Sequence, residues 1–574
     1  MPLNDKLFML PAGNIHLQGR LGKALELTRD NRLKKVDYAK LVRSFRDYED
    51  HDGRWRGEFW GKIVRSAIRV WQLCPDEELA AMIRAAVKGL CDCADTQGAL
   101  TTYPPDIRCT DWDIWCRKYA LLGLARYYRV MDQDPAVLET IRRHTDALLK
   151  DQPFDNPPPC PWHDGMAAFS VLGGIQIAAR LTGEKRFADA AEDLVKRGCT
   201  FSGTLFEDFL AGKRPKDLAN GKAYEMTSCF EGLLELYRDS GNRQYLDWAE
   251  AYFQDIINCE MIITGTAGGG DIHGEYWYDG AVHQMTRNPE YSMGETCVTA
   301  TLLRFTFQLL RLTGNSRYAD VIEYTVYNAA MGSMKYDGSW YIHRNPTPLA
   351  GVASKLPAGD QLPGYGEDCC LAQGPEALGV GGVSAVMRTP DGLAVNLYEN
   401  MLVKTEINSI PLKLQISGDY PVGNVVTIKV TPAEKCEFPL LLRIPQWCSE
   451  AQLEVDGQIW RPAPGRYARI VKSWSAGSVI SLTFNMPITT VSAPDKSGRF
   501  AVRRGPVLLV QDSRIGSVNT PVELDESMPE HLSTPEITDI YCWQNGTKLC
   551  DFASAGNLFE SENTLCVWLK GSEE

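Results

Sequence analysis

Two groups of side chains have the types and spacing to do chemistry together: Glu295-Thr-Cys297, and the vicinal pair Cys369-Cys370 that follows Gly364-Tyr-Gly366-Glu-Asp. One carboxylate and three thiols form a donor set suited to a tetrahedral zinc ion. Geometry limits where they can sit. Residues i and i+2 of a helix lie about 200° apart, so Glu295 and Cys297 can face one ion only from an extended or capping segment. Neighbours in a strand point to opposite faces, so Cys369 and Cys370 call for a turn, which the preceding glycines supply. The alternative reading of the same residues is a set of buried, inert thiols.

The elements that must hold these groups are visible as a repeated phrase. Arg180-Leu-Thr-Gly183, Arg238-Asp-Ser-Gly241 and Arg311-Leu-Thr-Gly314 are each followed by an aromatic residue, an aspartate and a glutamate: Phe187, Asp189 and Glu192; Tyr245, Asp247 and Glu250; Tyr318, Asp320 and Glu323. A degenerate copy lies at Arg129 to Pro135. Each phrase reads as a glycine-terminated helix, a tight turn and a second amphipathic helix. Val298, Leu302, Phe305, Leu309 and Leu312 form an apolar stripe on the helix before the third copy. The glycine spacings of 58 and 73 are too unequal for a short-period solenoid and fit a closed ring of hairpins, an (α/α) barrel. After about residue 385 the period becomes two, as in Val426, Ile428 and Val430, and Asp456-Gly457 marks a hairpin turn. We therefore expect a multidomain α+β chain: a helical domain over 1–385, a β-sandwich over 386–500, and over 501–574 either a second small β-rich domain or a continuation of the sandwich.

Composition narrows the function. In 574 residues, 60 Lys and Arg stand against 73 Asp and Glu, a net charge of −13 with no basic block to track phosphates, which argues against nucleic acid. No apolar run approaches the roughly 18 residues of a membrane span, so a membrane is not expected as a partner. The start does not read as a signal peptide, which predicts a cytoplasmic protein, or a periplasmic one if such a segment has been trimmed. The 17 cysteines are an odd number, too few for a disulfide scaffold. The 55 aromatic residues, among them Trp112, Trp115, Trp162 and Trp340, could stack on sugars or fill cores.

In order along the chain, Glu295-Thr-Cys297, Arg317-Tyr-Ala-Asp-Val-Ile-Glu323-Tyr-Thr-Val-Tyr-Asn328, Asn345-Pro346, Cys369-Cys370, Asn396-Leu-Tyr398, Leu442-Arg-Ile-Pro445-Gln-Trp447 and Arg504-Gly-Pro506-Val resemble glycoside hydrolase family 127, the β-L-arabinofuranosidase type. The resemblance runs from about residue 50 to 510. It implies an (α/α)6 barrel followed by β-sandwich domains, and retaining hydrolysis of a glycan, releasing β-L-arabinofuranose or a related sugar from plant cell walls. It also implies zinc on Glu295, Cys297, Cys369 and Cys370, with Cys369 as nucleophile and Glu275 as general acid/base. Asp271, Asp279 and Glu290 are competing carboxylates near Glu275. By the same resemblance Glu323 contacts the sugar, although Glu192 and Glu250 occupy the same repeat position and suggest a helix-surface residue instead.

The chain departs from the family after Cys370, where Leu-Ala-Gln-Gly-Pro-Glu-Ala-Leu replaces a Pro/Gly, Asn and Arg pattern, and at Tyr119 and Lys222, which stand where arabinofuranosidases carry pocket histidines. Lys222 is either a pocket cation favouring an acidic pectic sugar such as aceric acid, on which other family members act, or a helix-surface residue. His163 is either a further pocket residue or a loop histidine, and His273 is equally open. Two other functions compete: a lyase or epimerase, weakened by only eight histidines without a cluster, and a non-catalytic glycan-binding protein with a structural zinc. The oligomeric state is not legible in the sequence.

Overall fold

Gly183, Gly241 and Gly314, the glycines of the repeated phrase, take φ of 75°, 70° and 66° and each stops a helix. A residue with a Cβ is strained in that region, which is why glycine recurs there. The next helix starts at once: Asn242 and Asn315 cap it by accepting from the backbone N–H of Gln244 and Arg317. In this computed structural model, which describes residues 5–152, 154, 160, 162–270, 274–285, 294–346, 352–357, 359–362, 364–525 and 527–571, the hairpins close a ring.

The longer helices are α1 (Arg20–Asn31), α2 (Tyr38–Arg46), α3 (Arg56–Leu73), α4 (Glu77–Cys91), α5 (Asp113–Val130), α6 (Pro135–Asp151), α7 (Leu172–Thr182), α8 (Lys185–Lys196), α9 (Ala223–Ser240), α10 (Arg243–Asp255), α11 (Thr296–Thr313), α12 (Ser316–Thr325) and α13 (Cys369–Ser384). Inner helices α3, α5, α7, α9, α11 and α13 pack each on the next, and α13 returns to α3. Outer helices α4, α6, α8, α10 and α12 lie against the inner helix before them, and α1 covers α13. The two sets differ in sequence as their environments require. Outer α8 buries Phe187, Ala191, Leu194 and Val195, one face only, whereas every residue of α13 is buried. Gly61 lets α3 approach α5, since a Cβ there would lie 2.1 Å from the Tyr119 carbonyl oxygen. The helical stretch Trp162–Thr182 is apolar and long enough to suggest a membrane span, but most of it is buried inside the protein.

Beyond α13 come sheets. A five-stranded sheet contains Val386–Arg388, Leu393–Val395, Cys436–Ile444 and Arg466–Trp474; a seven-stranded one contains Met401–Ile407, Ile410–Gly418, Val425–Pro432, Ala451–Val455, Gln458–Trp460 and Ser478–Phe484. Two strands that precede the whole helical ring complete them: Phe8–Met9 pairs with Met387–Arg388, and Ile15–Leu17 with Met401–Val403. The alternation expected at Val426, Ile428 and Val430 is present, all three buried, and Asp456-Gly457 turns the hairpin with φ of 52° and 77°. One apolar core runs from the ring into these sheets. A third, eight-stranded sheet takes seven strands from Ile488 onward, so that it begins before residue 501, and one, Ala353–Ser354, from before α13; it has cores of its own.

Candidate active site

Three inner helices bring their N-termini to one end of the ring. Glu295 is the N-cap of α11 in extended conformation (φ −83°, ψ 140°), and Cys297 lies in the first turn behind it. Cys369 and Cys370 open α13, where the Asp368 carboxylate accepts from the backbone N–H of Cys370 (2.8 Å) and Leu371 (3.3 Å). The pair thus sits on a capped helix start and not on a glycine turn; adjacent helical positions about 100° apart can share one side. Lys222 is the N-cap of α9, whose start is tied to Glu275 by the Ala223 N–H to Glu275 carbonyl bond of 3.0 Å. The segment 342–345 pairs with 294–296, through Thr296 N–H to the His343 carbonyl (3.0 Å) and Asn345 N–H to the Gly294 carbonyl (2.7 Å), and delivers His343 to the site.

The donor atoms converge. Glu295, His343, Cys369 and Cys370 each contribute one possible ligand atom, all within 4.8 Å of one another, and this cluster is able to bind a metal ion. The Cys369 and Cys370 Sγ atoms are 3.8 Å apart, and they lie 3.8 and 3.5 Å from Glu295 Oε1. Cys297, buried in the first turn of α11, neighbours both thiols and feels them electrostatically, but it is not one of the four residues whose donor atoms cluster. Among the described residues Glu295 Oε2 and His343 Nε2 are buried and find no hydrogen-bond partner, an arrangement that a cation would satisfy. His343 Nδ1 lies 3.1 Å from Asp368 Oδ2, which fixes the ring with its other nitrogen toward the sulfurs, as second-shell carboxylates do at metal sites.

Electrostatics separate the carboxylates. Burial, with the charges of Glu275 and Cys369 beside it, pushes the Glu295 carboxyl well up. Burial would raise Glu275 too, but the Lys222 ammonium in direct contact, helped by His343, holds it well below the usual carboxylate range. Hydrogen bonding with Cys297, followed by burial, raises the Cys369 thiol, while Cys297 is lowered because both neighbouring thiols point to it despite its burial. The positive helix N-termini add a field that favours thiolate.

The residues singled out from sequence fall into three places. Glu295, Cys297, Cys369, Cys370, Glu275 and Lys222 come together, so Lys222 is not on a helix surface. His163 stands at the rim, its Nδ1 3.1 Å from Asn220 Nδ2 and its Nε2 3.9 Å from Glu225; next to it Trp112 stacks on Trp162, which is 42% exposed. Tyr119 is a layer deeper, fully buried, its hydroxyl against that of Tyr224, which in turn accepts from Gln373 Nε2 (2.6 Å); its hydroxyl is used by the protein itself. Trp115 is likewise core.

Glu323 requires correction. It is fully buried, bonded to Arg443 of a strand and to the Tyr420 hydroxyl (2.5 Å) and Trp447 Nε1 (3.1 Å) of turns in the β-sheet domain. The repeat explains why: Glu192 accepts from Tyr245 and Glu250 from Tyr318 (2.6 Å), each latching one hairpin to the next. Glu323 is the next latch in that series, and its partner is the sandwich, so no oxygen remains for a sugar. Asp279 is engaged by Arg214 and Lys216, while Asp271, His273 and Glu290 lie outside the described residues. His343 was missed; its only sequence signal is its place two residues before Asn345-Pro346.

Residues 22–378 match the model of the β-L-arabinofuranosidase GH127 catalytic domain, and 392–486 that of the GH127 middle domain. The non-reducing end β-L-arabinofuranosidase of Bifidobacterium longum subsp. longum is 25% identical over 313 residues, 51% of this chain; the match spans 46% of that relative's length, a little under half. A solved GH127 β-L-arabinofuranosidase from Geobacillus stearothermophilus T6 superposes with a TM-score of 0.76 at 18% identity, covering 97% of this chain and 100% of that one. A second solved GH127 β-arabinofuranosidase gives 0.76 at 17% identity, covering 99% and 98%. At such identities these structures speak for the fold, a helical domain followed by β-sheet domains. With the family models matched over more than half of its length, the chain belongs to glycoside hydrolase family 127.

Proposed function

We propose that this protein is a zinc-dependent retaining exo-glycosidase of the β-L-arabinofuranosidase type, built on an (α/α)6 barrel, that releases β-L-arabinofuranose or a related sugar from plant cell-wall glycans. The observation that carries this reading is the convergence of three thiols and Glu295 at inner-helix N-termini, with Glu275 beside them. Glu295, Cys297, Cys369 and Cys370 would hold the metal, and His343 offers one further donor. A zinc ion there would keep its thiols deprotonated at neutral pH, where a free thiol is only a few per cent ionised.

Cys369 Sγ attacks the anomeric carbon as the glycosidic bond breaks, and Glu275, protonated from solvent once the bound sugar parts it from Lys222, gives that proton to the departing oxygen. In the second step Glu275 takes a proton from water, whose oxygen displaces the sulfur. Cys369→Ala is expected to abolish turnover of aryl glycosides and any covalent sugar adduct, whereas Glu275→Gln keeps slow turnover of substrates with very good leaving groups. Full activity in Cys369→Ala overturns the assignment.

The Lys222 contact with Glu275 favours a second reading of the substrate. At rest the pair leaves Glu275 ionised, a base and not an acid. A sugar carboxylate that takes the Lys222 ammonium frees Glu275, and burial then raises its pKa into the range of a proton donor. On this reading an acidic pectic sugar assists its own cleavage.

A further inference from the structure

The end of the ring opposite the thiols holds a second polar chamber. It is a cavity of about 180 Å³, room for several water molecules, lined by residues of α3, α5, α7, α9, α11 and α13 and by Met9 of the N-terminal strand. Arg65 and Arg69 of α3, Arg126 and Arg129 of α5, and Arg304 and Arg311 of α11 all line it, whereas among the described residues Glu231 and Glu235 are the only carboxylates that do. In a protein of net charge −13, such a concentration of cations calls for a cause.

The neighbours do not supply it. Glu376 takes Arg126 and lies 3.9 Å from Arg69 Nε, Glu231 takes Arg304 at 3.2 Å, and Asp5 takes Arg311. Glu235 is occupied by Arg180 (2.7 Å) and Arg238 (3.0 Å), two further arginines behind the wall. No carboxylate among the described residues pairs with Arg65 or Arg129. Among the described residues the buried Nε atoms of Arg69, Arg304 and Arg311 find no hydrogen-bond partner. Helix C-termini favour cations, but Arg65 and Arg304 lie mid-helix, where the carbonyls are already bonded. Burial, followed by the adjacent arginines, lowers Arg65 to about 10 and Arg69 to about 9, which is the signature of cations crowded without enough counter-charge.

We propose that this chamber binds a small multivalent oxyanion, of the phosphate, sulfate or di- and tricarboxylate type, at a site separate from the thiol cluster. The partition between the two sites is the Tyr119, Tyr224 and Gln373 chain, and Arg304 donates to Gln373 Oε1 from the chamber side (3.3 Å). The volume admits one such ion. Guanidinium groups suit the task because they offer forked donors to oxyanion oxygens. Arg129 is exposed and marks the mouth; Arg65 is half-buried within.

The test is isothermal titration of the full chain with sodium phosphate, sodium sulfate and trisodium citrate at constant ionic strength, with sodium chloride as control. One saturable site is expected, shared competitively by the oxyanions, and weakened about tenfold in Arg65→Met and in Arg129→Gln, a loss typical of one charge-assisted contact. Melting temperature gives an independent sign: without oxyanion both variants melt at or above wild type, because crowding is relieved, and with phosphate wild type gains more than either. Arg129→Gln, at the exposed mouth, carries the test if Arg65→Met does not fold. Absence of saturable binding, equal binding of chloride, or unchanged affinity in both variants overturns the proposal. So does a lower melting temperature of both variants in oxyanion-free buffer with no response to phosphate, which makes the arginines structural.

Discussion

Glu323→Gln separates a sugar contact from a structural latch. The wild-type carboxylate accepts from Arg443, Tyr420 and Trp447 in a place without solvent. Glutamine keeps the shape but removes the charge and puts an NH2 donor against existing donors. Breaking a buried ion pair from one side costs about 3 to 5 kcal/mol, and here the lower part of that range applies, because Arg443 keeps Asp320 at 2.6 Å on its other arm. An orphaned buried donor adds about 1 kcal/mol or more, which restores the middle of the range. A chain of 574 residues has a urea m-value above the roughly 3 kcal/mol/M of small proteins, so the midpoint falls by less than about 1.7 M. Equilibrium urea unfolding followed by tryptophan fluorescence, which includes Trp447 at the latch, reads this. Aryl-glycoside kinetics at low urea are expected to show KM unchanged within about twofold. A variant with wild-type unfolding and a KM raised tenfold would refute the latch and restore the sugar contact.

The purified protein is expected to hold about one zinc per chain by elemental analysis, and chelation is expected to make additional thiols reactive to a disulfide reagent; a metal-free protein with Cys369 and Cys370 joined in a disulfide would end the zinc assignment. Lys222→Ala should raise KM for an acidic sugar about ten- to a hundredfold more than for L-arabinofuranose, and equal effects on both would remove the acidic-substrate reading. His144, buried on α6, accepts from the Leu100 N–H (3.1 Å), and its Nε2 lies 3.1 Å from the Arg117 carbonyl, so it is held neutral. Burial lowers it from the ordinary 6.5 to about 4. Its contribution is therefore present above pH 6.5 and lost as pH falls toward 4, by about 3 kcal/mol; urea unfolding that shows the same acid slope in wild type and His144→Gln would refute this.

Part of the site was legible because its chemistry resides in residue types: Glu295, Cys369 and Cys370 stand out as candidate metal donors before any fold is known and all three fall in the cluster able to bind a metal, and the capping geometry of Glu295 follows from spacing. Gly183, Gly241 and Gly314 likewise mark helix ends by local sterics alone. What could not be read depends on distant pairing. His343 reaches the sulfurs only because 342–345 zips onto 294–296, and the choice between pocket and helix surface that the sequence leaves open for Lys222 is decided only when the start of α9 is tied to Glu275. Glu323 shares its repeat position with Glu192 and Glu250, yet only at the third hairpin does a sheet more than a hundred residues later cover it. Phe8–Met9 and Ile15–Leu17 are too short to show a period at all.

Those two short strands also set a schedule for synthesis. Ile15–Leu17 finds its partner only after Met401–Val403 has been made, and α1 cannot take its place before α13. At about 5 to 20 residues per second, ribosomes need about 20 to 80 s to supply that partner. Throughout that interval the leading segment carries Ile15, Leu17, Leu21 and Leu25, all destined for the core, without its final cover. The ring therefore closes late and all at once, and a nascent chain released or stalled before residue 400 is expected to be a substrate for chaperones.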